Sequence, residues 1–355
     1  MVRFGLIGCG RVARYHAEAL SRLAGASLVA VCDIQPERCG EFAARYGAQA
    51  YTDYRALLER DDLDVVNIAT PSGDHPLIGA EVARAGKHVL IEKPLGLTLR
   101  EMDELIATCR DQRVKLGVVH QNRFNPAVRK VKEALEAGRF GRLSHASVAV
   151  RWHRDMDYYV QAPWRGTWAQ DGGVLLNQSV HAVDIFRWLM GQPETIAAVT
   201  ATRFHSIEAE DVATAAVRFQ SGALGSLEAS NNVFPANWEE TIAIFGDRGS
   251  AAIGGVALNR IERWEFADAA PGEAEAVSQP DPPSVYGHGH ERLLAEVVQA
   301  VENDRPFPVS GEEGRAAVEF ILGIYRSQET GQPVTLPLRD ESARIAAARG
   351  GRAHA

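Results

Sequence analysis

The sequence has few cysteines, no excess of positive charge and no long apolar run, and each absence excludes a class of protein. Its four cysteines, Cys9, Cys32, Cys39 and Cys109, show no C-x-x-C spacing, which argues against a disulfide framework or a zinc site and indicates reduced thiols in a cytoplasmic protein. A formal net charge of −8 argues against nucleic acid as a partner. No apolar stretch approaches the roughly 18–20 residues of a membrane-spanning helix, so no membrane association is expected. Because an apolar strand is predicted from residue 2, we expect no signal peptide.

The chain is long enough for two domains. Its 355 residues exceed one ordinary hydrophobic core, and 46% hydrophobic with 24% charged residues is typical of a globular protein. Residues 1–120 alternate short apolar runs with amphipathic segments, which predicts an α/β domain on a doubly wound parallel sheet. Residues 121–340 contain mostly consecutive strands separated by turns, which predicts an α+β domain on a mainly antiparallel sheet. We expect residues 341–355 to form a frayed tail.

The most informative pattern lies at the start of the chain. The apolar run Val2–Ile7 leads directly into Gly8-Cys9-Gly10-Arg11-Val12-Ala13. In such a strand, turn and helix, the first glycine permits the tight turn and the second lets the backbone approach a pyrophosphate, while the small third residue lets the helix pack on the strand. The pattern predicts a dinucleotide site at Gly8 and Gly10, with Arg11 and Val12 at the helix N-terminus facing the phosphates.

A carboxylate at the end of the next apolar run indicates which dinucleotide is bound. The run Leu28–Cys32 ends in Asp33, at the distance downstream where a carboxylate meets the adenosine ribose diol. Asp33 would repel a 2′-phosphate, and Ile34 follows it where an NADP enzyme often places Ser, Thr or Arg. We therefore expect NAD, and Arg38 leaves NADP open.

Two further strands of the first domain end at the sheet edge where open α/β folds bind ligands. One ends at Asn67-Ile68-Ala69, and the turn Thr70-Pro71, with His75 after it, is expected to contact the cofactor. The other ends in Ile91-Glu92-Lys93-Pro94, and we expect Glu92 and Lys93 at the cofactor. A partly desolvated lysine there would hydrogen-bond a substrate hydroxyl, whereas a surface lysine paired with Glu92 is the structural alternative.

The segment Gly172–Asp184 in the second domain joins a glycine turn to polar side chains. Asn177 and His181 are four residues apart, which would place both on the same face of one helix. A histidine alone on a helix is more often structural than catalytic. This segment by itself leaves the role of His181 open.

Together the motifs resemble the Gfo/Idh/MocA oxidoreductase family. The resemblance implies a Rossmann domain followed by a domain on a large open antiparallel sheet, a cis bond before Pro94, and homodimers or homotetramers assembled through that sheet. It also implies oxidation or reduction of sugars and cyclitols with NAD(P), using Lys93 and His181 as catalytic residues. It rests on Gly8-x-Gly10-x-x-Ala13 with His16, Thr70-Pro71 with His75, Ala85-Gly86-Lys87-His88-Val89 leading to Glu92-Lys93-Pro94, and Gly172-Gly173 with His181 and Asp184.

Asn177 points to a subgroup, because many family members have aspartate at this position. The run Asn177-Gln178-Ser179-Val180-His181 resembles the UDP-N-acetyl-glucuronate or UDP-N-acetylglucosamine 3-dehydrogenases. A neutral Asn177 cannot act as a base, so His181 would remove the hydroxyl proton while Lys93 polarises the oxygen and Asn177 orients the reacting groups. We expect an NAD-dependent dehydrogenase that oxidises a secondary hydroxyl, at C3, of a sugar nucleotide such as UDP-N-acetyl-glucuronate.

Aromatic and basic side chains of the second domain are candidate substrate contacts. Tyr159 and Trp164 offer ring faces to a sugar or to uracil, with core packing as the alternative for Trp164. Arg165 or Arg123 would take a diphosphate or a carboxylate, and a buried pairing with Glu92 is the alternative for Arg123.

Histidines before the first C-terminal helix have a simpler interpretation than a metal site. His288 is expected to begin that helix or to hydrogen-bond the substrate. The pair His288-Gly289-His290 has no third ligand of suitable spacing, so no metal is predicted.

Two other functions stay open on the sequence. An NAD(P)-dependent dehydrogenase of a free sugar or inositol would use the same motifs. A non-catalytic NAD-binding sugar sensor would bind the cofactor but would need neither Lys93 nor His181.

Overall fold

The chain folds into two compact units. The computed structural model describes residues 1–278, Pro280, Gly287 and 289–350. The first unit contains Met1–His120 and His290–Ala316, and the second contains Gln121–Gly289 and the residues from Ala317 onward. Within the described part of the chain, no helix has both the length and the apolar character that crossing a bilayer requires.

The first unit confirms the predicted doubly wound parallel sheet. Its elements up to His120 are β1 (Val2–Ile7), α1 (Arg11–Arg22), β2 (Ala26–Cys32), α2 (Pro36–Tyr46), β3 (Gln49–Tyr51), α3 (Tyr54–Leu58), β4 (Val65–Ile68), α4 (His75–Arg84), β5 (His88–Glu92), α5 (Leu99–Asp111) and β6 (Leu116–Val119). The six strands are all parallel in the order β3-β2-β1-β4-β5-β6. Successive strands are added to one side of β1 up to β3 and to its other side from β4 onward. Such sheets bind ligands at the point between β1 and β4 where this order reverses.

Both faces of this sheet are covered, which explains why its strands are continuous apolar runs. Phe4 and Leu6 of β1 are fully buried, as are Val65 and Ile68 of β4. Alternation of apolar and polar residues is not required when helices pack on both faces.

The second unit has an eight-stranded, mostly antiparallel sheet, as predicted. Its elements before Gly289 are α6 (Pro126–Glu136), β7 (Leu143–Arg151), α7 (Met156–Val160), α8 (Val180–Met190), β8 (Pro193–Ala201), β9 (Val212–Phe219), β10 (Leu224–Ser230), β11 (Glu239–Gly246), β12 (Gly249–Gly254) and β13 (Arg260–Phe266). The remaining elements of the chain are α9 (Gly289–Glu302), α10 (Gly311–Thr330), β14 (Val334–Thr335) and α11 (Ala343–Gly350). The strand order is β13-β12-β11-β7-β10-β9-β8-β14, and β7 pairs with β10 in parallel.

Residues 290–316 are part of the first unit, whereas the sequence predicts them in the second domain. The amide of Val118 in β6 donates to the carbonyl of Val309 at 3.1 Å. Phe307 is buried against Gly117, where an added Cβ would lie 2.7 Å from the phenyl ring. The segment therefore extends the first core along β6, a long-range packing that no local pattern reveals.

Two other expectations differ from the structure. The apolar pattern of the second domain predicts a strand over Ile196–Phe204, but β8 ends at Ala201, because the backbone amides of residues 203–205 turn to donate to the Asp211 carboxylate. The expected frayed tail contains the helix α11, with Ile345 buried. The Glu329 carboxylate accepts from the first amides of this helix, where a negative charge is favourable.

Phe307 provides a test of the packing of residues 290–316. We expect Phe307→Ala to lower the free energy of unfolding by about 3–5 kcal/mol, because it leaves a cavity against β6. The matched control is Phe204→Ala, whose side chain is 73% exposed and whose loss should change stability by less than about 0.5 kcal/mol. Urea unfolding followed by circular dichroism measures both, and equal effects would contradict this packing.

Candidate functional site

The glycine turn after β1 has the geometry of a phosphate cradle. Gly8 has φ +96°, and an added Cβ would lie 2.4 Å from the carbonyl oxygen of Ala69, so only glycine fits there. A Cβ at Gly10 would meet nothing within 4 Å, which leaves open space above the backbone. Helix α1 begins at Arg11 with no side-chain cap and no acidic residue in its first turn. The amides of Arg11 and Val12 thus offer a positive helix end to an anion.

Asp33 lies beside this turn, and its carboxylate is held by backbone amides. Its Oδ2 accepts from the amide of Cys9 at 2.8 Å, and its Oδ1 accepts from the amide of Gln35 at 2.8 Å. Each oxygen keeps a second lone pair for a ribose hydroxyl. Ile34 follows with 87% of its surface exposed, an apolar face beside the carboxylate. These residues fit the adenosine half of a dinucleotide.

The turn after β4 contains a polar atom with no partner. The Thr70 hydroxyl is buried, and among the described residues no group hydrogen-bonds to it, which fits a hydroxyl that meets a bound ligand. The predicted contact from His75 is corrected. His75 is 1% exposed, and its ring nitrogens face the carbonyl oxygens of Pro94 at 2.8 Å and Thr70 at 2.9 Å. His75 therefore connects the turn at Thr70 with the turn at Pro94 and is buried beneath both.

Lys93 follows directly after β5, half-buried, at the same edge of the sheet. The peptide bond between Lys93 and Pro94 is cis, as the family resemblance implies. The backbone amide of Lys93 donates to Glu92 Oε2 at 3.2 Å.

Glu92 is a buried residue and not the predicted cofactor contact. Its carboxylate Oε1 lies 2.6 Å from His16 Nε2 and 3.9 Å from His290 Nε2. Burial acts to raise the pKa of Glu92, but the hydrogen bond from His16 and the nearby His290 ring outweigh it and hold that pKa well below its usual value. Burial lowers the pKa of His290. Glu92 is therefore an ionised carboxylate that histidine rings hold in place.

These three side chains are metal-ligand types with their ligating atoms within 4.8 Å of one another, a grouping that the sequence analysis did not predict. The separation of 2.6 Å between His16 and Glu92 is a hydrogen-bond distance. Two ligands about 2.0–2.2 Å from one tetrahedral zinc ion would lie about 3.3–3.6 Å apart. The geometry fits a shared proton better than a shared cation.

Asn177 and His181 do not lie on one continuous α-helix, which corrects the predicted spacing argument. Residues Val174–Gln178 form a π-helical turn, and α8 begins only at Val180. His181 is in the first turn of α8, 7% exposed, with Nε2 3.3 Å from Gln121 Nε2. Gln121 contacts the ring from a distant part of the sequence, so sequence reasoning did not identify it.

A polar network in the second unit fixes Asn177. Its amide Nδ2 donates to the buried Asp171 carboxylate, and Tyr158 Oη lies 3.4 Å from its Oδ1. Tyr158 Oη also accepts from Gln178 at 3.1 Å. Asp171 was missed because a lone aspartate before two glycines has no chemical signature of its own.

Two predicted substrate contacts are buried structural residues. Arg123 is 4% exposed and makes a bidentate pair with Asp184, at 2.6 and 2.7 Å, so its carboxylate partner is Asp184 and not Glu92. Tyr159 is 5% exposed, and its hydroxyl accepts from Asn231 at 2.9 Å. Burial leaves neither side chain a surface for a ligand.

Trp164 and Arg165 keep partly exposed surfaces. The Arg165 guanidinium lies 4.2 Å from the centre of the Tyr158 ring and 5.6 Å from that of Trp164, and it donates to the carbonyl of Tyr158 at 2.6 Å. Stacking of this kind presents an arginine beside two aromatic faces. His288 lies outside the described residues.

Glu210 lies directly behind the π turn. Its Oε1 accepts from the amide of Leu175 at 3.0 Å and from the hydroxyl of Tyr325 at 2.9 Å. Among the described residues no group hydrogen-bonds to its Oε2, and burial, which outweighs both hydrogen bonds, raises the pKa of Glu210 to about 7.

Comparisons with known proteins agree with this geometry. Residues 2–120 match the oxidoreductase family with an NAD-binding Rossmann fold, and residues 128–252 match the GFO/IDH/MocA C-terminal domain. A solved WlbA dehydrogenase from Bordetella pertussis, in complex with NADH and UDP-GlcNAcA, is 38% identical, with a TM-score of 0.89 over 95% of this chain and 98% of that one. The WlbA dehydrogenase of Chromobacterium violaceum, with the same ligands, is 37% identical, with a TM-score of 0.90 over 96% and 97%. The myo-inositol 2-dehydrogenase of Thermotoga maritima is 27% identical over 353 residues, 94% of this chain and 98% of its own.

Glu210 gives the second unit a defined pH dependence. Its pKa is raised from 4.5 to about 7 on folding, so its contribution to stability is present below about pH 4.5 and is lost as the pH rises to about 7. Between pH 5 and pH 8 the wild-type protein should lose about 2–3 kcal/mol of unfolding free energy from this group, and Glu210→Gln should remove that loss. Urea unfolding at the two pH values measures the difference. The same pH dependence in both proteins would contradict the assignment.

Proposed function

Because this chain belongs to the GFO/IDH/MocA family of oxidoreductases, we propose that it oxidises a secondary hydroxyl, at C3, of a sugar nucleotide such as UDP-N-acetyl-glucuronate, with NAD as hydride acceptor. The observation that carries the choice of substrate is the similarity to two WlbA dehydrogenases crystallised with UDP-GlcNAcA. Their identities of 38% and 37% exceed the 27% of the inositol dehydrogenase.

The first unit holds the dinucleotide with its own backbone and side chains. The amides of Arg11 and Val12 face the pyrophosphate, Gly10 leaves room for it, and Asp33 takes the ribose hydroxyls. Asp33 carries a negative charge where NADP has its 2′-phosphate, which disfavours that cofactor. Bound NAD supplies the carbon that accepts the hydride.

Three side chains carry the chemistry on the substrate. His181 accepts the proton of the hydroxyl, and general base help of this kind is worth about 10²–10⁴-fold. Lys93 donates a hydrogen bond to the oxygen as it becomes a carbonyl. Asn177, fixed by Asp171 and Tyr158, orients the hydroxyl or His181 without adding a charge.

Arg165 and Trp164 are the substrate contacts that the geometry supports best. The guanidinium is held against the Tyr158 ring and is suited to a diphosphate or hexuronate carboxylate. The half-buried Trp164 ring offers a face to a sugar or a base.

We retain the prediction of a homodimer or homotetramer assembled through the large sheet. One face of that sheet presents small side chains along neighbouring strands, among them Ser147, Ala197, Ala216 and Ser226. A surface of this kind can approach a second copy closely.

The substrate assignment is tested by NADH production across a matched panel. UDP-N-acetyl-glucuronate and UDP-N-acetylglucosamine are compared with N-acetylglucosamine and myo-inositol, each with NAD and NADP. We expect kcat/KM for the best sugar nucleotide with NAD to exceed that of the uncharged compounds by about 100-fold or more, because the diphosphate contacts are lost without the nucleotide. A higher value for myo-inositol would favour the dehydrogenase of a free sugar or inositol, and NAD binding without turnover of any compound would favour a sensor.

The catalytic assignment is tested by Lys93→Ala and His181→Ala. Both variants should bind NADH with the wild-type Kd, measured by fluorescence, since neither removes a phosphate or ribose contact. Both should lower kcat by about 100-fold or more. Turnover of the best substrate at the wild-type rate by either variant would remove that residue from the mechanism.

A further inference from the structure

The buried carboxylate of Glu92 joins four elements of the first unit. His16 of α1 hydrogen-bonds Glu92 at the end of β5, and Asn67 of β4 approaches the other nitrogen of the same ring at 2.8 Å. His290 of α9 lies edge-on to His16, with ring centres 5.1 Å apart. All four side chains are at most 5% exposed. Burying several ionisable side chains together costs free energy of folding. Because this cluster lies next to Lys93, a role in positioning that lysine would explain why the fold keeps it.

The contacts of the cluster keep a negative charge on Glu92. The Asn67 amide Nδ2 lies 2.8 Å from His16 Nδ1, and the other ring nitrogen, Nε2, lies 2.6 Å from Glu92 Oε1. Burial lowers the pKa of His290. The pKa of Glu92 lies well below its usual value, so Glu92 is a buried carboxylate with a negative charge at the end of β5.

Lys93 is linked to this charge in two ways. Its backbone amide donates to Glu92 Oε2 at 3.2 Å, which fixes the point at which the lysine leaves the sheet. Because this carboxylate contacts the backbone of Lys93 itself, the lysine ammonium is separated from it by little more than the length of its own side chain. The Lys93 charge also helps to lower the pKa of His290, after burial and the neighbouring His16.

We propose that the His16–Glu92–His290 cluster positions Lys93, by anchoring the end of β5 and by placing a buried negative charge beside the lysine ammonium. The three residues touch no reacting atom and act through Lys93. This inference rests on the catalytic role proposed for Lys93.

Other ionisable groups around the cluster do not replace this charge. Tyr15 of α1 stacks on His290 with ring centres 5.7 Å apart and contributes an aromatic face to the cluster. His75 of α4 is buried, and burial lowers its pKa. Among these groups, Glu92 carries the negative charge that lies next to the histidine rings and to Lys93.

The test measures the reactivity of the Lys93 amine directly, without turnover. The chain has five lysines, so competitive acetylation with acetic anhydride, read by mass spectrometry, compares Lys93 with four internal references. In Glu92→Gln the ammonium loses a neighbouring negative charge, and acetylation of Lys93 at pH 8 should rise about three- to tenfold relative to the other lysines. In the same variant kcat should fall about 10- to 100-fold, with the Kd for NADH unchanged.

Two further variants are needed. One separates the effect of the Glu92 charge from the effect of its position, and the other controls for general effects of mutation. Glu92→Asp keeps the charge but shortens the side chain, so Lys93 acetylation should stay near the wild-type value while kcat remains low. The matched control is Asp64→Asn. This variant removes a carboxylate that is bonded to Arg3 and lies just before β4, at the amino-terminal ends of the strands, whereas Lys93 lies at the carboxyl-terminal ends. Its Lys93 acetylation and kcat should equal those of the wild type.

Several outcomes would overturn the proposal. They are unchanged Lys93 acetylation in Glu92→Gln, an equal change in Asp64→Asn, or stoichiometric zinc in the purified protein that Glu92→Gln abolishes. If Glu92→Gln does not fold, His290→Gln takes its place, and wild-type acetylation and kcat in that variant overturn the proposal. Full turnover by Lys93→Ala, in contrast, would contradict the proposed function and leave the acetylation result standing.

Discussion

The nucleotide-binding unit depends on the contact between two turns, at Gly8 after β1 and at Ala69 after β4. An added Cβ on Gly8 would lie 2.4 Å from the carbonyl of Ala69, so the two strand ends meet backbone to backbone. The sheet reverses its order at this pair of strands. The cradle at Gly10, the amides of α1, the carboxylate of Asp33 and the buried hydroxyl of Thr70 all take their places around this contact. A side chain at Gly8 would displace them together.

Local patterns were sufficient for much of the fold. The sequence predicts a strand over Val2–Ile7 and helices near Pro36–Tyr46 and at about Gly311–Thr330, and β1, α2 and α10 have these bounds. Each has a continuous apolar run or an amphipathic period and a clear start or stop signal. The failures are non-local. Residues 290–316 join the first unit through Phe307 and Val309 against β6, and β8 ends early because Asp211 draws the next residues into a turn. Neither partner can be identified from the segment that it holds.

Some residues of the candidate site could likewise be predicted from local patterns, whereas others depend on contacts between distant segments. Gly8, Gly10, Asp33 and Lys93 lie next to strands that end at one edge of a parallel sheet, so periodicity alone brought them together. Arg123 and Tyr159 looked like ligand contacts because arginine and tyrosine often are, and only the structure shows the burial that removes them. The contact of Gln121 with His181, and the contacts of Asp171 and Tyr158 with Asn177, became visible only in the fold. Reactive residue types can be read from a sequence, whereas the groups that orient them cannot.

The neutral amide at position 177 has a consequence for how this site can change during evolution. Asn177 donates to a carboxylate, Asp171, that is 1% exposed. An aspartate at 177 would set a second acidic group against the buried carboxylate of Asp171, and repulsion between the two would raise the pKa of one of them. Exchange of Asn177 for aspartate is therefore coupled to position 171, because a neutral residue at either position removes the repulsion between the two side chains.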